Sequence, residues 1–204
     1  MLAPRDAAVL TPRILTFVVL ACLASAAMAQ QTQPPESSAE LALSDDTIQL
    51  RYLTAGDKIG VDGGRLSGTF FLSEERDIVL SAGLLFPSTL DLGRLTIAFG
   101  PQLYAALLEE ENNDVMSVSV GTEIRLLLNA RTGLAVAGHA YYAPDILTFG
   151  SADNLTDLSA RVELGIAPRV IAFGGMRWFE FDLVDDAGER TLQEELFVGF
   201  GYRF

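Results

Sequence analysis

Over residues 116–128 the hydrophobic positions recur every second residue. Met116, Val118, Val120, Ile124, Leu126 and Leu128 share one face with Thr122, while Ser117, Ser119, Gly121, Glu123 and Arg125 share the other. A helix would repeat at three and four; a period of two belongs to an extended strand with one oily and one polar side. Residues 156–166 repeat the pattern, with Leu158, Ala160, Val162, Leu164 and Ile166 opposed to Asp157, Ser159, Arg161 and Glu163. Alternation of varying clarity predicts further strands over 65–72, 77–86, 94–107, 132–143, 169–181 and 194–204. Together these make eight. In 169–181, Phe173, Phe179 and Phe181 lie opposite Met176 and Trp178, so its two faces cannot be told apart. Upstream, 40–43 and 48–52 alternate around Asp45-Asp46 and would add a hairpin, for ten strands.

The connections alternate in length. Asn129-Ala130-Arg131 and Ala167-Pro168 read as tight turns, whereas 108–115, 144–155 and 184–192 read as longer polar loops. Short turns on one side and long loops on the other, with an even strand number and both termini on the short-turn side, describe an all-β transmembrane antiparallel up-and-down barrel of 8 to 10 strands.

The one continuous apolar run, 14–29, is too short for a helix that must cross a hydrocarbon core of about 30 Å. With Arg5 and Arg13 before it and Ala27-Met28-Ala29 at its end, it reads as a secretory signal peptide, residues 1–29, cleaved after Ala29. Cys22 after Val19-Leu20-Ala21 suggests a lipid-attachment signal instead, but Leu20 fits that pattern poorly. Residues 30–38, rich in Gln, Pro, Glu and Ser, read as a disordered tether before a barrel over 39–204.

Composition narrows the partners. The whole chain has 14 basic and 27 acidic residues, and loss of the leader with Arg5, Arg13 and Asp6 leaves a net charge of −14. That balance argues against nucleic acid, which needs clustered Lys and Arg. The single cysteine, Cys22, departs with the leader, so no disulfide supports the exported fold. Outer-membrane lipid is the expected partner of the oily face, because lipid tolerates only structures that satisfy every backbone N–H and C=O internally.

A soluble barrel would turn the same alternation inside out. Export and the last strand favour the membrane: Leu196, Val198, Phe200, Tyr202 and Phe204 lie on one face. The ending Phe200, Tyr202, Phe204 resembles the C-terminal signal by which the barrel insertion machinery of the outer membrane takes up its clients, which implies that machinery as a partner during assembly.

The polar face offers a candidate lumen network of Glu123, Arg125, His139, Arg161, Glu163, Glu195 and Arg203, most simply read as ion pairs filling a narrow bore. His139 is the sole histidine and no cysteine remains after export, so neither a multi-histidine nor a thiolate metal site is expected, and no cofactor. A hydrolase would require His139 beside a serine, and no nucleophile motif stands out, so no catalytic residue is assigned. Glu109, Glu110, Glu111, Asp114, Asp182, Asp185, Asp186 and Glu189 read as solvated loops, with divalent-cation binding at the outer surface as the alternative.

Gly138-His139-Ala140-Tyr141-Tyr142-Ala143-Pro144-Asp145-Ile146-Leu147-Thr148-Phe149-Gly150 resembles the characteristic stretch of the YfaZ family of outer-membrane proteins, with weaker similarity from Leu41 to Phe204 that includes Gly175-Met176-Arg177. The resemblance implies a barrel in the bacterial outer membrane and carries over no catalytic residue. At the strand end, Tyr142 is expected at an interfacial aromatic girdle, Tyr141 in the lumen mouth with His139, and Pro144 as the strand terminator. The functional expectation is a non-enzymatic envelope barrel, structural or acting through its loops. A narrow selective channel and a lipid-modifying enzyme are the alternatives.

Overall fold

The computed structural model describes residues 37–90, 93–109, 113–183 and 189–204. The expected leader with its cleavage site, and the expected tether up to residue 36, lie outside the described residues. The strands are β1 Ser38–Leu43, β2 Thr47–Ala55, β3 Arg65–Ser73, β4 Ile78–Leu90, β5 Leu95–Leu108, β6 Asn113–Asn129, β7 Leu134–Ala143, β8 Thr148–Gly150, β9 Ala152–Ala167, β10 Val170–Leu183 and β11 Glu189–Arg203. Antiparallel neighbours run from β1 to β7, then β9, β10 and β11, and β11 returns to β1. Ten strands thus close on themselves, which settles the choice between eight and ten in favour of the additional hairpin. Closure pairs every wall strand on both sides, the condition for backbone to lie in lipid.

β8 was not foreseen. It pairs three residues with the start of β6, inside a stretch the sequence presents as loop. Likewise β6, β9 and β11 begin inside the segments 108–115, 144–155 and 184–192. The reason is physical: these extensions rise beyond the oily zone, their outward positions carry Asp114, Asp153 and Thr191, and the two-residue signal of hydrophobicity fades while the backbone ladder continues. The two tight turns read from the sequence fall on the side of the termini, where 56–64 is a longer connection, while the opposite side also has short turns at 44–46 and 74–77. In one, Asn129 Oδ1 accepts the Arg131 N–H at 2.9 Å and Gly133 takes a φ of 64°; in another, Pro168 is followed by Arg169 at φ 70°. The rim with these turns is called the terminal rim below, and the opposite one the loop rim.

The oily face points outward. Met116, Val120, Ile124, Leu158, Val162, Leu164, Leu196 and Val198 are all exposed, up to 73% for Leu196, and only hydrocarbon makes such a surface favourable. Tyr52, Tyr202 and Phe204 form an outward aromatic group near the terminal rim, with ring centroids 6.1 Å apart in successive pairs. Trp178, Tyr142 and Phe149 are outward near the loop rim, the arrangement of interfacial aromatic belts.

Inside, side chains fill the bore in layers. Towards the loop rim lies an apolar plug that includes Phe71, Val79, Tyr104, Leu108, Val115, Leu155, Phe179, Phe181 and Leu183. Phe173, Phe179 and Phe181 all face inward while Met176 and Trp178 face lipid, which resolves the faces of β10. Two inward glycines make room for rings: a Cβ on Gly121 would sit 2.3 Å from Tyr141 Cδ1, and one on Gly199 would sit 2.4 Å from Phe173 Cε2. Between the plug and the terminal rim polar and charged side chains line the bore, together with two smaller apolar groups, Leu85 with Ala98 and Ile171 with Phe173 and Phe197.

Candidate functional site

The polar layer is built by the inward positions of eight strands, each set by the two-residue pleat. At its top, under the plug, Asp157 of β9 is wholly enclosed. Arg177 on the neighbouring β10 grips it with Nε to Oδ1 at 2.9 Å and Nη2 to Oδ2 at 2.8 Å. Tyr104 donates its hydroxyl to Oδ2 at 2.8 Å, and His139 Nε2 stands 3.0 Å from Oδ1. The Arg177 guanidinium lies over Phe179, 4.4 Å from its ring centre, and 5.3 Å from that of Phe71. It is the point where plug and charged layer join, with cation, carboxylate and aromatic faces satisfying one another.

Below this, Arg51 of β2 forms an ion pair with Glu123 of β6, and Tyr141 donates to the same carboxylate at 3.0 Å. Nearer the terminal rim, Arg161 holds Glu40 through two nitrogens, at 2.7 and 3.1 Å, and Glu163 through Nη2 at 2.8 Å. Arg125 takes the other oxygen of Glu163 at 2.7 Å. The result is a chain Glu40–Arg161–Glu163–Arg125 that links three strands, β1, β9 and β6.

Of the residues singled out in the sequence, Glu123, Arg125, His139, Arg161 and Glu163 therefore line one continuous polar layer. Glu195 also faces inward, but bonds to Ser44 Oγ at 2.5 Å near the loop rim, apart from the others. Arg203 lies at the terminal rim and its side chain makes no hydrogen bond or ion pair with a described residue. Tyr141 points into the bore beside His139, their rings 5.6 Å apart, while Tyr142 points outward. Sequence reasoning missed Arg177, Asp157, Tyr104, Arg51 and Glu40. Asp157 stood on a recognised polar face; Arg177 fell in the one strand of unclear facing, Arg51 and Glu40 in the hairpin offered only as an addition to eight strands, and Tyr104 looks apolar.

His139 lies between Ser159 and Asp157, with Nδ1 2.9 Å from Ser159 Oγ. Three features set this trio apart from a hydrolytic one. His139 and Ser159 are direct cross-strand partners, for which such a contact is ordinary. The Asp157 charge is already taken by Arg177. The cavity beside it, bordered by Gln49, Arg51, Gln102, Glu123, His139 and Arg177, has about 20 Å³ of water-accessible space, enough for a water and not for an acyl chain.

Metal ligation has no nucleus here: among the described residues no three His, Cys, Asp or Glu side chains converge as ligands. Asp77 at the loop rim is buried and bonded to Arg190 at 2.9 Å and to the Glu109 N–H at 3.1 Å, and Glu75 meets Arg190 at 2.7 Å. Glu110, Glu111, Asp185 and Asp186 lie outside the described residues.

A family model described as YfaZ precursor matches residues 16–204. No curated protein matches. Among solved structures, one described as a bacterial polysaccharide outer membrane secretin aligns at 14% identity over 82% of this chain and 69% of that one, with a TM-score of 0.47. The KdgM porin in complex with disordered oligogalacturonate aligns at 10% identity over 83% of this chain and 99% of that one, with a TM-score of 0.45.

Proposed function

The chain belongs to the YfaZ family, and from that premise we propose that it is a closed, non-enzymatic barrel of the bacterial outer membrane that acts through its rims rather than by conducting solutes. The observation that carries this reading is the filled bore: an apolar plug stacked on a hydrogen-bonded ion-pair layer. An ion entering from the loop rim would meet Phe71, Phe179 and Phe181 with no polar group to replace its hydration, a costly step in an apolar surround. Below the plug, the carboxylates that would attract a cation are already held by arginines.

The test is single-channel recording of the refolded protein in planar bilayers. Reconstituted barrels, verified by heat-modifiable migration, are expected to give no unitary steps. Regular open-channel steps from wild-type protein would overturn the reading in favour of a selective channel.

In the same reading, the leader ends at Ala29, and Phe200, Tyr202 and Phe204 serve assembly as the edge taken up by the insertion machinery. Their side chains all face outward, at 46–54% exposure, so none is needed to fill the bore. Deleting Phe204 is therefore expected to remove most of the heat-modifiable form from outer-membrane fractions, while protein refolded in vitro into vesicles loses little stability. Undiminished assembly in cells would remove the assembly role.

A further inference from the structure

The charges of this barrel are sorted along its axis. The described part of the loop rim carries Asp45, Asp46, Glu74, Glu75, Asp77, Glu109, Asp114 and Asp145 against Arg76 and Arg190. The described part of the terminal rim carries exposed Arg94, Arg131 and Arg169 on three turns, with Asp57 and Asp62 as exposed acids among the described residues. Just inside that rim, Arg65, Arg125 and Arg203 face the bore, with Glu163 beside Arg125 and Glu40 within electrostatic reach of both Arg65 and Arg203.

Arg125 is accounted for by Glu163. Arg65 and Arg203 are not: neither side chain makes a hydrogen bond or ion pair with a described residue. Arg65 stands within electrostatic reach of Arg51 and Arg203, both like charges, and of Glu123 and Glu40. Those two acids are already engaged, Glu123 by Arg51 and Glu40 by Arg161. Two residues above Arg65 on the same face of β3, the Ser67 hydroxyl is buried, at 6% exposure for the residue, and has no hydrogen-bond partner. Buried hydroxyls are ordinarily paired, and a chain with a large acidic excess gains nothing structural from placing near one another two guanidinium groups that no described residue pairs.

We propose that the terminal end of the bore is an oxyanion site, in which Arg65 and Arg203 receive a phosphate or carboxylate group entering from the side of the termini, with Ser67 donating the hydrogen bond it otherwise lacks. Guanidinium suits such groups because its planar fork matches two oxygens at once. The acidic loop rim would repel the same ligand, and the plug blocks its passage, so the site opens to one side. This inference does not depend on whether the bore conducts.

The test is thermal unfolding of the refolded full mature barrel in detergent, with inorganic phosphate or citrate as probe and sodium chloride at matched ionic strength as reference. Either probe should raise the melting temperature of wild-type protein by several degrees over chloride. A response to phosphate alone identifies a phosphate-bearing ligand, and a response to citrate alone a carboxylate. The rise should vanish in Arg65→Gln and Arg203→Gln and persist in Arg76→Gln at the opposite rim. Without probe, Arg65→Gln should melt no lower than wild type, since it removes a half-buried charge that Arg51 and Arg203 repel and that no described residue pairs. Should a variant fail to refold, the wild-type comparison still decides: equal melting in phosphate, citrate and chloride overturns the proposal, as does a rise that survives in both glutamine variants.

Discussion

Replacing Arg177 alone by leucine is expected to destabilise the barrel by about 3–5 kcal/mol, the usual cost of leaving one member of a buried ion pair behind. The loss is large because Asp157 is enclosed, and its remaining partners, Tyr104 and His139, are weaker companions than a two-point guanidinium contact. The rings of Phe71 and Phe179 also lose the cation that lies against them. Removing both charges with Arg177→Leu and Asp157→Leu should recover much of that loss, since nothing charged is then stranded. Chemical unfolding in lipid vesicles followed through Trp178, the only tryptophan, reads both variants. A single variant costing under about 1 kcal/mol would show that water reaches this pair freely.

Phe181→Ala should be comparably severe, about 3–5 kcal/mol, because this ring is fully enclosed in the plug and its removal leaves a cavity that rigid barrel walls cannot collapse to fill. Phe179→Ala should match or exceed it, as Phe179 meets Phe71, Tyr104 and Phe181 at centroid distances of 5.6–5.8 Å. The double variant is expected to admit ions in planar bilayers where wild-type protein does not. Refolded double-variant barrels that stay electrically silent would locate the seal in the charged layer instead. An outward control, Phe200→Ala, exchanges ring–lipid contact for a smaller one and creates no cavity inside the bore.

Strand placement was legible wherever lipid covers one side and the bore's polar groups the other. Residues 116–128 and 156–166 pass through that zone, and their alternation gives facing as well as length. The same rule explains where legibility stops. In β10 the inward positions rise from the charged layer into the plug, so Phe179 and Phe181 inside are as apolar as Trp178 outside, and composition no longer separates the faces.

The site was legible as a set of inward residues and illegible as a set of partnerships. Arg51 and Glu123 are 72 positions apart and Arg161 and Glu40 are 121 apart. Only the closure of the cylinder and the tilt of its strands decide which inward side chains meet. A period of two carries no information about that. Asp157 and Arg177 are neighbours on adjacent strands, yet their contact depends on the register of a strand whose facing the sequence left open.

β1 has six residues and β11 has fifteen, and β1 supplies backbone partners only from Val198 to Arg203. The half of β11 nearer the loop rim thus borders a gap in the cylinder wall, bridged by side chains: Ser44 to Glu195, and Arg190 to Asp77 and Glu75. Alternate amides along that half have no ladder acceptor on the β1 side. The place where β1 meets β11 is therefore a zipper fastened at the bottom and buttoned at the top, and the ionic buttons, Arg190 with Asp77 and Glu75, are the part that salt can undo.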